Sequence, residues 1–260
     1  MVRAQHPYRV GQGRLEEWDR PAQVPDRPNT LASRDNLASA YRAAGDLGRA
    51  IPLFEATLAD SIRVLGPDHP STLTSRNNLA SAYRAAGDLG RAIPLHEEAL
   101  ADSIRVLGPD HPNTLASRNN LAGAYEAAGD LGRAIPLFEA TLADSIRVLG
   151  PDHPSTLTSR NNLAGAYEAA GDLGRATSLY EEALTDRTRV LGPDHPSTLT
   201  SRNSLAHAYW QQGRRSEALA EFDEAADSAK RLFGSSHRVT RQLAENRDSA
   251  RKIMDDDSGG

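Results

Sequence analysis

The sequence predicts an all-α fold, an α-solenoid of five helix-turn-helix units followed by a C-terminal capping helix. Three observations carry that prediction. Ala, Leu, Arg, Asp and Glu dominate and aromatic residues make up only 5%, a helix-forming palette. Segments beginning at Pro28, Pro70, Pro112, Pro154 and Pro196 share the pattern PxTLxSRxxLAxAY, spaced by 42 residues, and a period of that length signals stacked structural repeats. Within each copy the apolar residues recur at helical spacing. A doubled period lies on top: PNTLAS opens copies one and three, PSTLTS copies two and four, as if a two-copy block had duplicated.

In chain order, residues 1–27 hold three prolines and the isolated apolar residues Leu15, Trp18 and Val24, with no helical period. They are expected to be partly disordered or capping. Either they fold over Leu31, Leu37 and Tyr41, or another chain does so, or the polypeptide is a piece of a longer one. The repeats follow at 28–68, 69–110, 111–152, 153–194 and 195–234. In the second copy, Leu73, Leu79, Ala80 and Tyr83 mark a first helix over Thr72–Ala86, and Gly87 then Asp88 supply a terminating glycine and an N-cap. Ala92, Leu95, Ala99, Leu100, Ile104 and Leu107 mark a longer second helix ending at Gly108 and Pro109, with Pro94 bending rather than breaking it. Residues 235–254 place Val239, Leu243, Ala250 and Ile253 on one side of a capping helix that hides the last repeat from water. The remaining DDDSGG, residues 255–260, is expected to be disordered.

The hexapeptide LGPDHP recurs at Leu65, Leu107, Leu149 and Leu191 and poses the question of a metal site. Its grammar is that of a helix junction: Gly-Pro ends one helix, Asp68 or His69 caps the next, and Pro70 takes the first helical position, where its missing N–H is no loss. Neighbouring helices pack about 8–10 Å apart, so His69, His111, His153 and His195 are too widely spaced to share an ion. No metal ligands are assigned.

Composition narrows function further. There is no cysteine, hence no disulfide, thiolate nucleophile or cysteine-based zinc site. A formal net charge of -5 gives no electrostatic pull toward nucleic acid. No apolar run suits a membrane span or a secretion signal, so a cytoplasmic location is expected. GDLGRA lacks the lysine and second half of a phosphate loop, and no serine sits in a nucleophile elbow. His96 takes the aromatic packing slot held elsewhere by Phe54, Phe138, Tyr180 and Phe222, and reads as an interhelix histidine. Arg34, Arg76, Arg118, Arg160 and Arg202 form a ladder expected to pair with Asp or Glu inside their own repeats. The reading is of a protein without catalytic residues or a cofactor.

Leu79, Ala80, Tyr83, Gly87, Ala92, Ala99 and Leu100, with their equivalents, resemble the signature of the tetratricopeptide repeat. The 42-residue form, with RNNLAxAYxAAGDLGRAxPL and RVLGPDHP, is similar to the repeats of kinesin light chains and of bacterial arrays of that type. The 8 residues beyond the usual ~34 fall in the second helix, adding about two turns. The resemblance covers about Pro28 to Gly234 and implies a right-handed superhelix whose first helices line a concave groove that takes peptides or helices.

It also implies groove positions, which form three rows along the repeats. The first is Asp35, Asn77, Asn119, Asn161 and Asn203; carboxamides can donate to and accept from a peptide backbone at once. The second, Ser39, Ser81, Gly123, Gly165 and His207, is small. The third, Arg42, Arg84, Glu126, Glu168 and Trp210, changes from basic to acidic to aromatic, and matches a bipartite ligand, acidic toward repeats one and two and basic toward three and four, with an apolar anchor. The carboxylate-clamp subtype of the family places Lys and Asn where this chain has Asn and Ser or Gly, which argues against capture of a free chaperone C-terminus. The leading expectation is therefore a peptide- or protein-binding adaptor. The alternative is a self-assembling or regulatory module, stacking through its N-terminal end or serving a separate signalling protein, as bacterial arrays of this type serve signalling ATPases.

Overall fold

The computed structural model describes residues 28–258, and every regular element among them is helical. The expectations for residues 1–27, including the covering roles of Leu15, Trp18 and Val24, lie outside the described residues. The chain forms two compact units, one up to Ala86 and one from Gly87 onward. In the first, α1 (Pro28–Ala43) packs on α2 (Leu47–Leu65), α2 on α3 (Pro70–Ala85), and α3 touches α1. The second holds α4 (Leu89–Leu107), α5 (Pro112–Ala127), α6 (Leu131–Leu149), α7 (Pro154–Ala169), α8 (Leu173–Leu191), α9 (Pro196–Gln211), α10 (Arg215–Phe233) and α11 (Arg238–Ser258). There each helix packs on the next, and α5 also touches α7.

The LGPDHP segments are helix junctions. Each histidine is an N-cap: Nδ1 of His69, His111, His153 and His195 accepts the N–H two residues on, at 3.1 Å, and the proline follows at the first helical position. The aspartate beside it does other work. Asp110 and Asp152 pair with Arg147 and Arg189 in the second helix of the following repeat. The preceding glycine makes the corner: Gly150 sits at φ 91°, ψ 160°, a conformation open essentially to glycine alone. At the other turn Asp46, Asp88, Asp130 and Asp172 cap the second helices, which run on past Pro52, Pro94 and Pro136.

Packing follows the repeat. Ala80, Ala122, Ala164 and Ala206 on first helices and Ala92, Ala134, Ala176 and Ala218 on second helices are wholly buried, and their small size lets the backbones approach. Phe54, His96, Phe138, Tyr180 and Phe222 fill the space between, each 3% exposed or less, and each aromatic contributes on the order of 2–3 kcal/mol. In the second unit one core runs from Leu121 to Ala250. The arginine ladder is paired within repeats, Arg34 to Asp60 and Arg118 to Asp144 at 2.6 Å, Arg160 to Asp186, and Arg202 to Glu221 at 2.7 Å.

α11 starts like a sixth repeat. His237 Nδ1 accepts the Val239 N–H at 3.3 Å, and Thr240 Oγ1 donates to the Ala229 carbonyl just as Thr114 does to Ser103. Leu243 and Ala250 are buried against α9 and α10. The outward positions then break the pattern: Arg241, Arg247, Asp248 and Arg251 stand where α9 has Leu199, Leu205, Ala206 and Tyr209. Helix continues to Ser258, four residues into the segment expected to be disordered, because no glycine or proline interrupts it before Gly259.

Candidate functional site

The first helices carry the three rows, and each unit presents its own part. In the first unit α1 bears Asp35, Ser39 and Arg42, and α3 bears Asn77, Ser81 and Arg84, the last exposed. Asn78, a neighbour that the sequence rows left out, reaches from α3 to donate to Asp35 Oδ2 at 2.7 Å. Burial raises the Asp35 carboxyl above its ordinary value, opposed by that hydrogen bond and by the charge of Arg42.

In the second unit the amide row bridges neighbouring repeats. Asn161 Oδ1 accepts from Ser201 at 3.0 Å, and Asn203 Oδ1 accepts from Asn246 of α11 at 2.9 Å. Part of the carboxamide capacity assigned to a ligand backbone thus ties first helices together. Asn119 Oδ1 is buried and makes no hydrogen bond among the described residues.

The acidic stretch is organised around Glu168. Its Oε2 accepts from the Tyr180 hydroxyl at 2.9 Å, and its Oε1 from Gln211 Nε2 of the next repeat. Tyr180 belongs to α8, and its hydroxyl reaches this face beside Gly165, where a Cβ would lie 3.4 Å from it and 3.6 Å from Glu126 Oε1. Desolvation first, and then the negative charge of Glu168, hold the Tyr180 phenol far above its ordinary range. His207 packs edge-on to Phe222 at 5.0 Å with Nε2 3.4 Å from Asn246 Nδ2; burial lowers its pKa, partly offset by Glu168.

Trp210 differs from the expected free aromatic anchor. Its indole packs against the core, and the Arg215 guanidinium lies over the ring at 3.9 Å. A ligand group reaches that ring face only by displacing Arg215.

The structure also shows a polar element absent from the sequence reading. Tyr125 and Tyr209 donate to Glu97 and Glu181 of the preceding second helix at 2.5 and 2.7 Å, while Arg133 and Arg214 lie over their rings. Among the described residues no group of three or more His, Asp or Glu is placed to hold a metal ion, and no helix is long and apolar enough to cross a membrane.

The tetratricopeptide repeat family matches residues 29–103, 78–145, 156–197 and 198–238. Among solved structures, the chain is similar to nearly identical TPR-like repeats from a Podosopora anserina protein described as kinesin light chain, with 34% identity over 80% of this chain and 99% of that one and a TM-score of 0.63. BtubC (BKLC) of P. vanneervenii shares 22% identity over 81% and 85% of the two chains at a TM-score of 0.68. A thermophilic TPR protein of Thermus thermophilus shares 20% over 83% and 98% at 0.60, and these two similarities show the fold alone. No curated protein matches the sequence. The capped helix pairs, the buried alanine contacts and these matches agree, and the chain belongs to the tetratricopeptide repeat family, with 42-residue repeats of the kinesin-light-chain-like type.

Proposed function

We propose that the chain is a non-catalytic scaffold that binds an extended peptide or protein segment along the first-helix face of its repeats. Tetratricopeptide repeats generally mediate protein–protein contacts, and stacked repeats offer long surfaces for them. The observation that carries the finer reading is the charge order on that face: Arg42 and Arg84 in the first unit, Glu126 and Glu168 in the second. These side chains lie outside the apolar core, so their identity is free to serve recognition. The ligand class that fits is bipartite, acidic toward repeats one and two and basic toward repeats three and four. Partly engaged carboxamides leave backbone contacts available without dictating side-chain sequence.

Fluorescence anisotropy with labelled, end-capped Glu-Ser and Arg-Ser repeat peptides, alone and joined, tests this. The joined peptide should bind best at low salt, and Arg42→Glu with Arg84→Glu should weaken the Glu-Ser peptide at least about tenfold, the scale of losing close charge pairs. Unchanged affinity in that double variant refutes the charge-order reading.

A further inference from the structure

Repeat four differs from its neighbours in a way that reaches the proposed binding face. The buried aromatic slot of the second helix is Phe in repeats one, three and five, His in repeat two, and Tyr in repeat four alone. Tyr180 is 3% exposed, so its ring packs as the phenylalanines do, yet a buried hydroxyl needs a partner. It finds Glu168 at 2.9 Å, a first-helix residue of the proposed face. Gly165 lies beside the hydroxyl, where a Cβ would come into contact with it at 3.4 Å. Gln211 holds the other carboxylate oxygen from the following repeat.

From this geometry we infer that Tyr180 is a positioning residue of the ligand face: it fixes Glu168 as a pre-oriented acceptor, making repeat four the anchor for a Lys or Arg side chain of the bound segment. Glu168 retains unused lone pairs after two hydrogen bonds, because a carboxylate offers about four acceptor sites. A carboxylate held in one rotamer gives up less side-chain entropy on binding than a free one, which strengthens the contact without adding another. Repeat three lacks this device, with Phe138 in the slot, so the two glutamates of the face are unequal. The inference rests on the proposed basic-ligand end and refines it to one repeat.

Tyr180→Phe tests it, because the substitution installs the residue of repeats one, three and five and removes one oxygen. Anisotropy titration of the labelled Arg-Ser peptide should show about fivefold weaker binding to Tyr180→Phe, the scale of ordering one freed side chain on binding, with an unchanged helical circular dichroism spectrum. Glu168→Gln should weaken the same peptide at least as much and flatten its salt dependence, and the Glu-Ser peptide should bind all three proteins alike. Weaker binding to Glu168→Gln with full affinity in Tyr180→Phe overturns the positioning role while leaving the basic-ligand end intact. Equal affinity of wild type and Glu168→Gln overturns the anchor. No binding of the Arg-Ser peptide to the wild type overturns both this inference and the basic half of the proposed function, whereas the arginine end is judged separately with the Glu-Ser peptide.

Discussion

Asp35 differs from Asn77, Asn119, Asn161 and Asn203 only in carrying a carboxylate where they carry an amide, and burial makes that difference cost something. Its folded pKa is raised above the ordinary 3.8, chiefly by desolvation, so the charged form is the one folding disfavours. The cost is therefore present at pH values above the folded pKa and gone below about 3.8. Asp35→Asn should stabilise the protein at pH 7, and urea unfolding at a series of pH values should show the advantage shrinking to nothing as the medium is acidified past that range. Residue roles set by local sequence were legible in advance: the histidine caps sit two residues from their donors, and the arginine ladder finds acids inside its own repeat. Roles that depend on the approach of different helices were not. Arg187 stands where Ser103 and Ser145 stand in earlier copies, buried, donating to the Ser197 carbonyl at 2.9 Å and to Ser201 Oγ at 2.7 Å. Burial lowers its pKa, and nothing in the string TDRTRV announces such a staple. Asn78 and the hydroxyl bond of Tyr180, which the sequence presents only as a packing aromatic, escaped notice for the same reason, since their partners lie in another repeat or another helix.

At the level of the element, α10 departs from α2, α4, α6 and α8 at its start. The earlier second helices open with a capping aspartate that also pairs with the arginine three residues on, as Asp130 does with Arg133 at 2.5 Å. In α10 the charges are exchanged: Arg214 pairs with Glu217 at 2.6 Å and still covers the Tyr209 ring, but no side chain caps the helix. Arg214→Asp with Glu217→Arg restores the arrangement of the first four repeats and should raise stability by about 1 kcal/mol, the usual worth of an N-cap. Hydrogen exchange at the α10 amides and the thermal midpoint would register it; a loss of stability would contradict the capping argument. Element boundaries were readable because Pro opens each first helix of the repeats, Asp caps four of the second helices, and Gly follows the helix ends. The end of α11 was not, because acidic composition was weighed above the absence of a helix breaker between Met254 and Ser258.

For the molecule as a whole, the terminal helix decides how the array meets water. Leu243 covers Leu199, Ala225, Ala226 and Ala229, and Ala250 joins the long core of the second unit. Removing residues 235–258 should expose that surface, lower the unfolding midpoint by the equivalent of about 2 kcal/mol for the leucine alone, and give a molecular mass by light scattering that grows with concentration. A truncated chain that stays monomeric and equally stable would refute the capping role. The repeat fold itself was legible because the alanine, aromatic and capping positions recur with the 42-residue period. The binding face was legible only as rows of positions, because which groups stay available depends on cross-repeat bonds the period does not encode.

α11 keeps the backbone start of a further repeat and changes only the chemistry of its outer side, with Arg241, Arg247, Asp248 and Arg251 in place of three apolar residues and a tyrosine. A few side chains on α11, with no change of backbone at its start, thus separate a helix able to receive another pair from one that meets water.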